Sequence, residues 1–280
     1  KPAFVVLAAW LLAESRRRSD VPALPLAIGL VVLTLGLLVL QPDVGQTMLV
    51  AAVWSALFFL SGQPLRHAAM VGAAGFGAFG FAYLAFDHVR SRVWRFIDPS
   101  TGDTYQVDRA IQSFTEGGFL GRGPGEGVIK SVLPDAHTDF IFAVIGEEDG
   151  VLACLVLRAL YAFVAVRAVV RAWDEPDRFT RLAIIGLALL FALQAAINMG
   201  VNVGLLPAKG MTLPFISSGG SSNVAVSVTV GMMLGLMRRR PSVARVKTPH
   251  LHTSVETAGV EPRATAAAET AEPVGVAGRT

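Results

Sequence analysis

Long apolar runs separated by short polar breaks dominate this chain, and their lengths predict its elements. Residues 23–40, 45–60, 68–86, 182–205 and 223–237 are each close to the roughly 20 residues that a helix needs to cross a bilayer. Residues 2–13 are apolar but shorter, and read as the end of a span whose start lies before Lys1. Residues 140–170 form a further run, interrupted by Glu147, Glu148 and Asp149. That span begins either at Phe140, carrying the acids inward, or near Val151 after a short dipping segment. The pattern predicts an all-α polytopic membrane protein with about seven transmembrane segments. Gly72, Gly75, Gly77 and Gly80 give the fourth segment small-residue faces suited to close helix packing.

Charge sets the expected sidedness. Basic residues at 16–18, 66, 167–181 and 238–240 fall at alternate ends of the runs, so all lie on one side, as cytoplasmic connections do. The polar blocks at 41–45, 87–139 and 206–222 then share the other side. The long segment 87–139 reads as a functional loop, and its stretch 89–96, with Trp94, as lying along the membrane surface. Residues 241–280 carry no apolar period and read as a disordered cytoplasmic tail, leaving residues 1–240 as the membrane domain.

Composition agrees: 53% of residues are hydrophobic and 16% charged, against about 25% charged in soluble domains. The net charge of +3 is gathered at helix ends, which argues against a nucleic-acid partner. A single cysteine, Cys154, excludes an intrachain disulfide and reads as a packing residue.

The chemistry concentrates between residues 116 and 140. Glycines 117, 118, 121, 123, 125 and 127 permit sharp turns and close backbone approach. No Gly-Lys-Ser/Thr closes a nucleotide loop, although the turns together with Arg122 and Lys130 suit a phosphate. Asp135, His137 and Asp139 alternate along the chain as metal ligands sometimes do. Three candidate ligands in five residues without a second histidine make a weak metal motif, so no metal site is assigned. A divalent cation such as Mg2+, held partly by substrate phosphates, remains compatible. Glu147 and Glu148 inside a span call for a function or a neutralising partner, and Asp43 reads as the cap of the next helix or as a functional acid. Lys209, in a Gly/Pro-rich loop, reads either as a ligand for an anion or as an interfacial lysine.

Three blocks together resemble the SEDS family of cell-wall polymerases, its division-type branch more than its elongation-type branch. They are Gln-Pro-Asp-Val-Gly at 41–45, Gly-Gly-Phe-Leu-Gly-Arg-Gly-Pro-Gly-Glu-Gly at 117–127 with Leu-Pro-Asp-Ala-His-Thr-Asp-Phe at 133–140, and Leu-Pro-Ala-Lys-Gly-Met-Thr-Leu-Pro-Phe-Ile-Ser-Ser-Gly-Gly-Ser-Ser at 206–222. Asp149, Ser218 and Asp135 depart from the commoner family residues, which are apolar, tyrosine and glutamate respectively. The resemblance covers residues 1–240 and implies that these seven segments are the last seven of ten.

It further implies a peptidoglycan glycosyltransferase that polymerises lipid II by an inverting displacement at the outer face of the inner membrane during septal synthesis. Asp139 matches the family's leading candidate for general base. Arg122, Lys130 and Lys209 are chosen by position and charge to stabilise the diphosphate, and His137 and Glu148 complete the candidate substrate-binding set. The implied partners are lipid II and the growing glycan strand, a class B penicillin-binding protein and other divisome proteins. A lipid II flippase and a non-catalytic divisome scaffold are the alternatives, the first weakened by the gathering of polar groups on one face.

Overall fold

The computed structural model describes residues 1–238 apart from 19, 42, 88, 92, 93, 95–104 and 207–209. The tail expectation for 241–280, and half of the surface segment 89–96, therefore fall outside the described residues. The described chain is helical, with no strand: α1 (Pro2–Glu14), α2 (Ala23–Leu40), α3 (Val44–Leu60), α4 (Leu65–Ala85), α5 (Tyr105–Gly117), a 3-10 turn (Ile129–Ser131), α6 (Ile141–Glu148), α7 (Gly150–Trp173), α8 (Arg178–Asn202) and α9 (Gly220–Met237).

All seven apolar segments form helices. Four of them, α2, α7, α8 and α9, are long and apolar enough to cross a membrane, and α4 has 21 residues. Val32, Leu33 and Leu37 on α2, Leu152, Val156 and Phe163 on α7, and Val224 and Leu234 on α9 point outward. In water such surfaces would drive aggregation; in a bilayer they meet acyl chains. The protein is a polytopic membrane protein.

One helix is the hub. The most apolar window of α8 is 72% buried, against 17% for α2, α7 and α9. Its first half packs with α1 and α3 through Leu12, Leu57, Ile184 and Leu187, and α2 packs in turn against α1 and α3. Gly186 lets the backbones approach: a methyl there would lie 2.6 Å from Val5 Cγ1 and 3.0 Å from Leu57 Cδ1. The second half of α8 faces Phe142, Cys154 and Leu213, so Cys154 does pack. By contrast, a methyl at Gly72, Gly75, Gly77 or Gly80 of α4 meets nothing within 4 Å, so the expected close packing of that helix is not made within the described residues.

The helix ends follow ordinary capping chemistry. Asp43 accepts from Gln46 N at 3.0 Å, which makes it the cap of α3, and Asp177 accepts from Thr180 N at 2.9 Å at the start of α8. Arg16, Gly62, Arg178 and Arg181 line one recess, so the ends of α1 and α3 and the start of α8 share a basic end of the bundle. The C-terminus of α8 lies at the other end.

The interrupted span resolves into two helices. The short α6 ends at Asp149, and α7 starts afresh at Gly150, whose φ is +83°. A broken helix exposes orphan carbonyls on one side of the break and orphan N–H groups on the other. Here the glycine-rich segment satisfies both. Arg122 N and Gly123 N donate to the carbonyls of Glu147 and Glu148 at 3.0 and 2.9 Å, while Val151 N and Leu152 N donate to Gly118 and Phe119 at 2.9 and 3.3 Å. The glycines approach this junction: a methyl at Gly121 would lie 2.1 Å from Glu148 O, and one at Gly150 would lie 2.4 Å from Phe119 O.

Much of the expected loop 87–139 is thus ordered structure. Helix α5 buries Ala110, Ser113 and Gly117, and a methyl on Gly146 of α6 would strike the Phe114 ring at 2.3 Å.

The junction yields a graded test. Gly118 and Gly121 both have positive φ, +58° and +79°, but only a methyl on Gly121 meets backbone. Gly118→Ala is expected to cost about 1–2 kcal/mol from its left-handed backbone alone, whereas Gly121→Ala adds a backbone clash and should cost distinctly more. Thermal unfolding of the two purified variants in detergent measures the difference, and equal losses would show that the stitch contributes nothing.

Candidate active site

The site is built on a tight turn. Asp135 has φ +55°, a left-handed conformation that aspartate tolerates better than most residues, which suits its place where the resembled family has glutamate. Its carbonyl consequently receives Thr138 N and Asp139 N at 3.0 Å each and Phe140 N at 3.2 Å. Leu133, Ala136 and Phe140 turn inward against Ala110, Ala143, Val144 and Val201. His137 is left exposed and Asp139 half-buried at the edge of this cluster.

Three successive carbonyls of the turn are gripped from outside it. Ser218 N and Ser218 Oγ both donate to His137 O at 2.9 Å. Ser217 Oγ donates to Thr138 O, and the Nδ2 groups of Asn198 and Asn202 donate to Asp139 O at 2.8 and 2.9 Å. The serine that departs from the family tyrosine is thereby a direct partner of the turn.

The segment 211–218 is itself fixed. Leu213 N donates to Ser217 Oγ at 2.7 Å and Tyr161 Oη donates to Pro214 O at 2.5 Å. Two of the three sequence blocks therefore meet at Asp139. Its Oδ2 lies 3.4 Å from where a methyl on Gly210 would sit, so the glycine leaves the carboxylate uncovered.

Burial pushes the Asp139 carboxyl up to about 6, and the negative charge of Asp135 pushes in the same direction. At neutral pH the group remains mostly ionised yet is more basic than an ordinary aspartate near 3.9. A half-buried carboxylate on a backbone held at three points is suited to taking a proton from a substrate hydroxyl.

The other candidates are differently engaged. Arg122 pairs with Glu116. Lys130 pairs with Glu148 and donates to Gly125 O at 2.9 Å. Glu147, fully buried, has no cationic partner among the described residues; it accepts from the backbone N–H groups of Val128, Ile129 and Lys130 at 2.6, 2.8 and 3.2 Å. Three such donors replace the arginine that an acid in a span would otherwise need. Lys209 lies outside the described residues. Among the described residues no group of three or more His, Cys, Asp or Glu is placed to hold a metal ion, so Asp135, His137 and Asp139 do not form a ligand set.

Residue-type reasoning along the motifs passed over Gln194, Asn198 and Asn202. Their signal was present: three amides at four-residue spacing on an otherwise apolar helix share one face. It passed over Arg158 as well, which lines an apolar recess of about 570 Å3 between α7 and α8, together with Phe142 and Met199.

Comparisons with known proteins agree with this picture. The chain is 44% identical over 241 residues to a probable peptidoglycan glycosyltransferase FtsW of Caulobacter vibrioides, covering 86% of this chain and 62% of that protein. It is 37% identical over 217 residues to the probable FtsW of Legionella pneumophila, covering 75% and 55% respectively. The chain thus spans less than two thirds of the length of these relatives. Among solved structures, a chain of a peptidoglycan synthase complex that coordinates polymerization and crosslinking matches with a TM-score of 0.67 at 30% identity, covering 85% of this chain and 69% of that one. The Thermus thermophilus rod shape determining protein RodA matches with a TM-score of 0.53 at 28% identity, covering 83% and 64%. The family profile of the FtsW, RodA and SpoVE cell cycle proteins matches residues 1–241, and the chain belongs to that family.

Proposed function

We propose that the protein is a peptidoglycan glycosyltransferase that polymerises lipid II during septal wall synthesis, with Asp139 as general base. The observation that carries this reading is the Asp139 carboxylate itself: half-buried, raised to about 6, uncovered at Gly210 and fixed through its backbone. Asp139 takes the proton from the acceptor sugar's 4-hydroxyl as that oxygen attacks the donor's anomeric carbon. The anomeric centre inverts, and undecaprenyl diphosphate leaves.

Arg122 and Lys130 are proposed to meet the diphosphate. Their ion pairs with Glu116 and Glu148 are partly exposed, and such pairs contribute only about 0–1 kcal/mol. A diphosphate carrying more charge competes with either. Lys209, His137 and Glu148 complete the proposed substrate set. The ligand chemistry at hand does not suit a cation held by protein alone, so any Mg2+ would arrive on the substrate phosphates. A class B penicillin-binding protein is the proposed partner, with other divisome proteins around it; the likeness to a chain of a synthase complex supports this. The setting is the bacterial inner membrane at the septum, with the Asp139 end periplasmic.

Three outcomes follow. Asp139→Asn, near-isosteric and neutral, should lower glycan-strand synthesis by about 10²–10⁴-fold in the full-length protein with its partner, at matched protein levels. Near wild-type synthesis would remove Asp139 as the base.

The base works ionised, so kcat/KM should rise with pH through about 6 and level above it. Asp135→Asn removes a like charge and should move that limb to lower pH while retaining most activity. A limb that stays in place would show that Asp135 does not act on Asp139.

For sidedness, Thr115→Cys and Ser254→Cys, each without Cys154, should differ: an impermeant thiol reagent should label only the first in intact spheroplasts. Labelling of both would overturn the orientation.

A further inference from the structure

At the Asp139 end, α8 presents three amides rather than a charge. Gln194, Asn198 and Asn202 are 5%, 1% and 0% exposed and stand four residues apart, which advances about 6 Å along a helix at each step. Gln194 Nε2 donates to Thr212 O at 3.1 Å. Asn198 Nδ2 reaches Met211 O at 2.6 Å as well as Asp139 O at 2.8 Å. Asn202 Nδ2 reaches Asp139 O at 2.9 Å, and its Oδ1 accepts at 3.0 Å from Ala143 N, a donor in the first turn of α6 that is shared with Phe140 O. One helix face therefore holds the 211–212 segment, the Asp139 turn and the start of α6 in a fixed order.

Polar side chains are costly in a span, and a leucine would fill this space at lower cost. The donors are what the amides add. The Asn198 carboxamide makes this plain, because its Oδ1 is buried and has no partner among the described residues while its Nδ2 serves two carbonyls.

We propose that Asn198 and Asn202 are positioning residues, which by gripping the Asp139 and Met211 carbonyls from one helix face hold the Asp139 carboxylate toward Gly210 in reacting position. This rests on the reading of Asp139 as the base. Among the described residues, the charge acting on Asp139 is that of Asp135. His137 shares its turn, α8 offers only uncharged amides, and the 210–218 segment offers Gly210 and serines. Loosening the grip therefore changes the burial of Asp139 rather than its charge partners, and its raised pKa should relax downward.

The test uses the full-length protein with its partner and the variants Asn198→Ala and Asn202→Ala. Expected are a fall in kcat of about 10–100-fold, KM for lipid II within about twofold, and an acid limb lower by about half a pH unit or more. The double alanine variant should be little worse than the stronger single, since both amides hold the same carbonyl. Activity that merely tracks the folded fraction, with the acid limb unmoved, would overturn the proposal. Where Asn202→Ala does not fold, Asn198→Ala, which leaves the bond to Ala143 intact, decides by the same criteria. Infrared titration of the carboxyl, assigned by difference from Asp139→Asn, gives a readout without turnover. If the wild-type complex polymerises nothing, the functional reading fails, and the titration still shows whether the amides set the state of Asp139.

Discussion

A backbone N–H or carbonyl in a membrane has no water to turn to, and the Asp139 end of this protein is organised by that constraint. Two places break regular hydrogen bonding there: the interruption between α6 and α7, and the turn before α6. Each brings irregular backbone to the edge of the span, and each is repaired by a specific neighbour. The glycine-rich segment repairs the first by donating to Glu147 and Glu148 and accepting from Val151 and Leu152. The amides of α8 and the serines at 217 and 218 repair the second. Irregular backbone of this kind is where a reactive side chain can be aimed, since a regular helix fixes direction by its own period.

Glu147 shows the same constraint from the side of charge. A carboxylate wholly out of water is costly unless it is paired or hydrogen-bonded. Here it closes the 3-10 turn at residues 129–131, with N–H groups doing the work of a cation. Its neighbour Glu148, more exposed, takes Lys130 instead. Two adjacent acids thus serve separate structural ends, although both stand out equally in the sequence.

What could be read from residues alone follows from this division. Hydropathy placed the spans because apolar length is a one-dimensional property, and Asp43 was readable as a cap because capping is local. Asp139 was readable because a carboxylate at the edge of Phe140 is anomalous wherever the rest of the chain goes. The glycines at 117–127 were readable as close-approach residues, but not what they approach, since their partners at 146–152 meet them only in three dimensions. The roles of Gln194, Asn198 and Asn202 depend on carbonyls that carry no mark in a sequence. Two segments read as open loops, 105–117 and 211–218, owe their order to such contacts.

The amide face of α8 also imposes an order on biogenesis. Chains enter the membrane from the N-terminus as they are made. The glycine-rich segment is therefore already present when the α6–α7 break emerges, and that break can be closed at once. The Asp139 turn is made early as well, but its carbonyl partners come from residues 198 and 202, and its serine partners from 217 and 218. Until α8 has inserted and the following segment has folded back, the turn has only its own bonds to Asp135 O and its local packing, and its three outer carbonyls lack these partners. A ribosome stalled between α7 and α8 would leave an inserted chain with its acid in place and no grip upon it, so the protein withholds its reactive geometry until most of the chain has been synthesised.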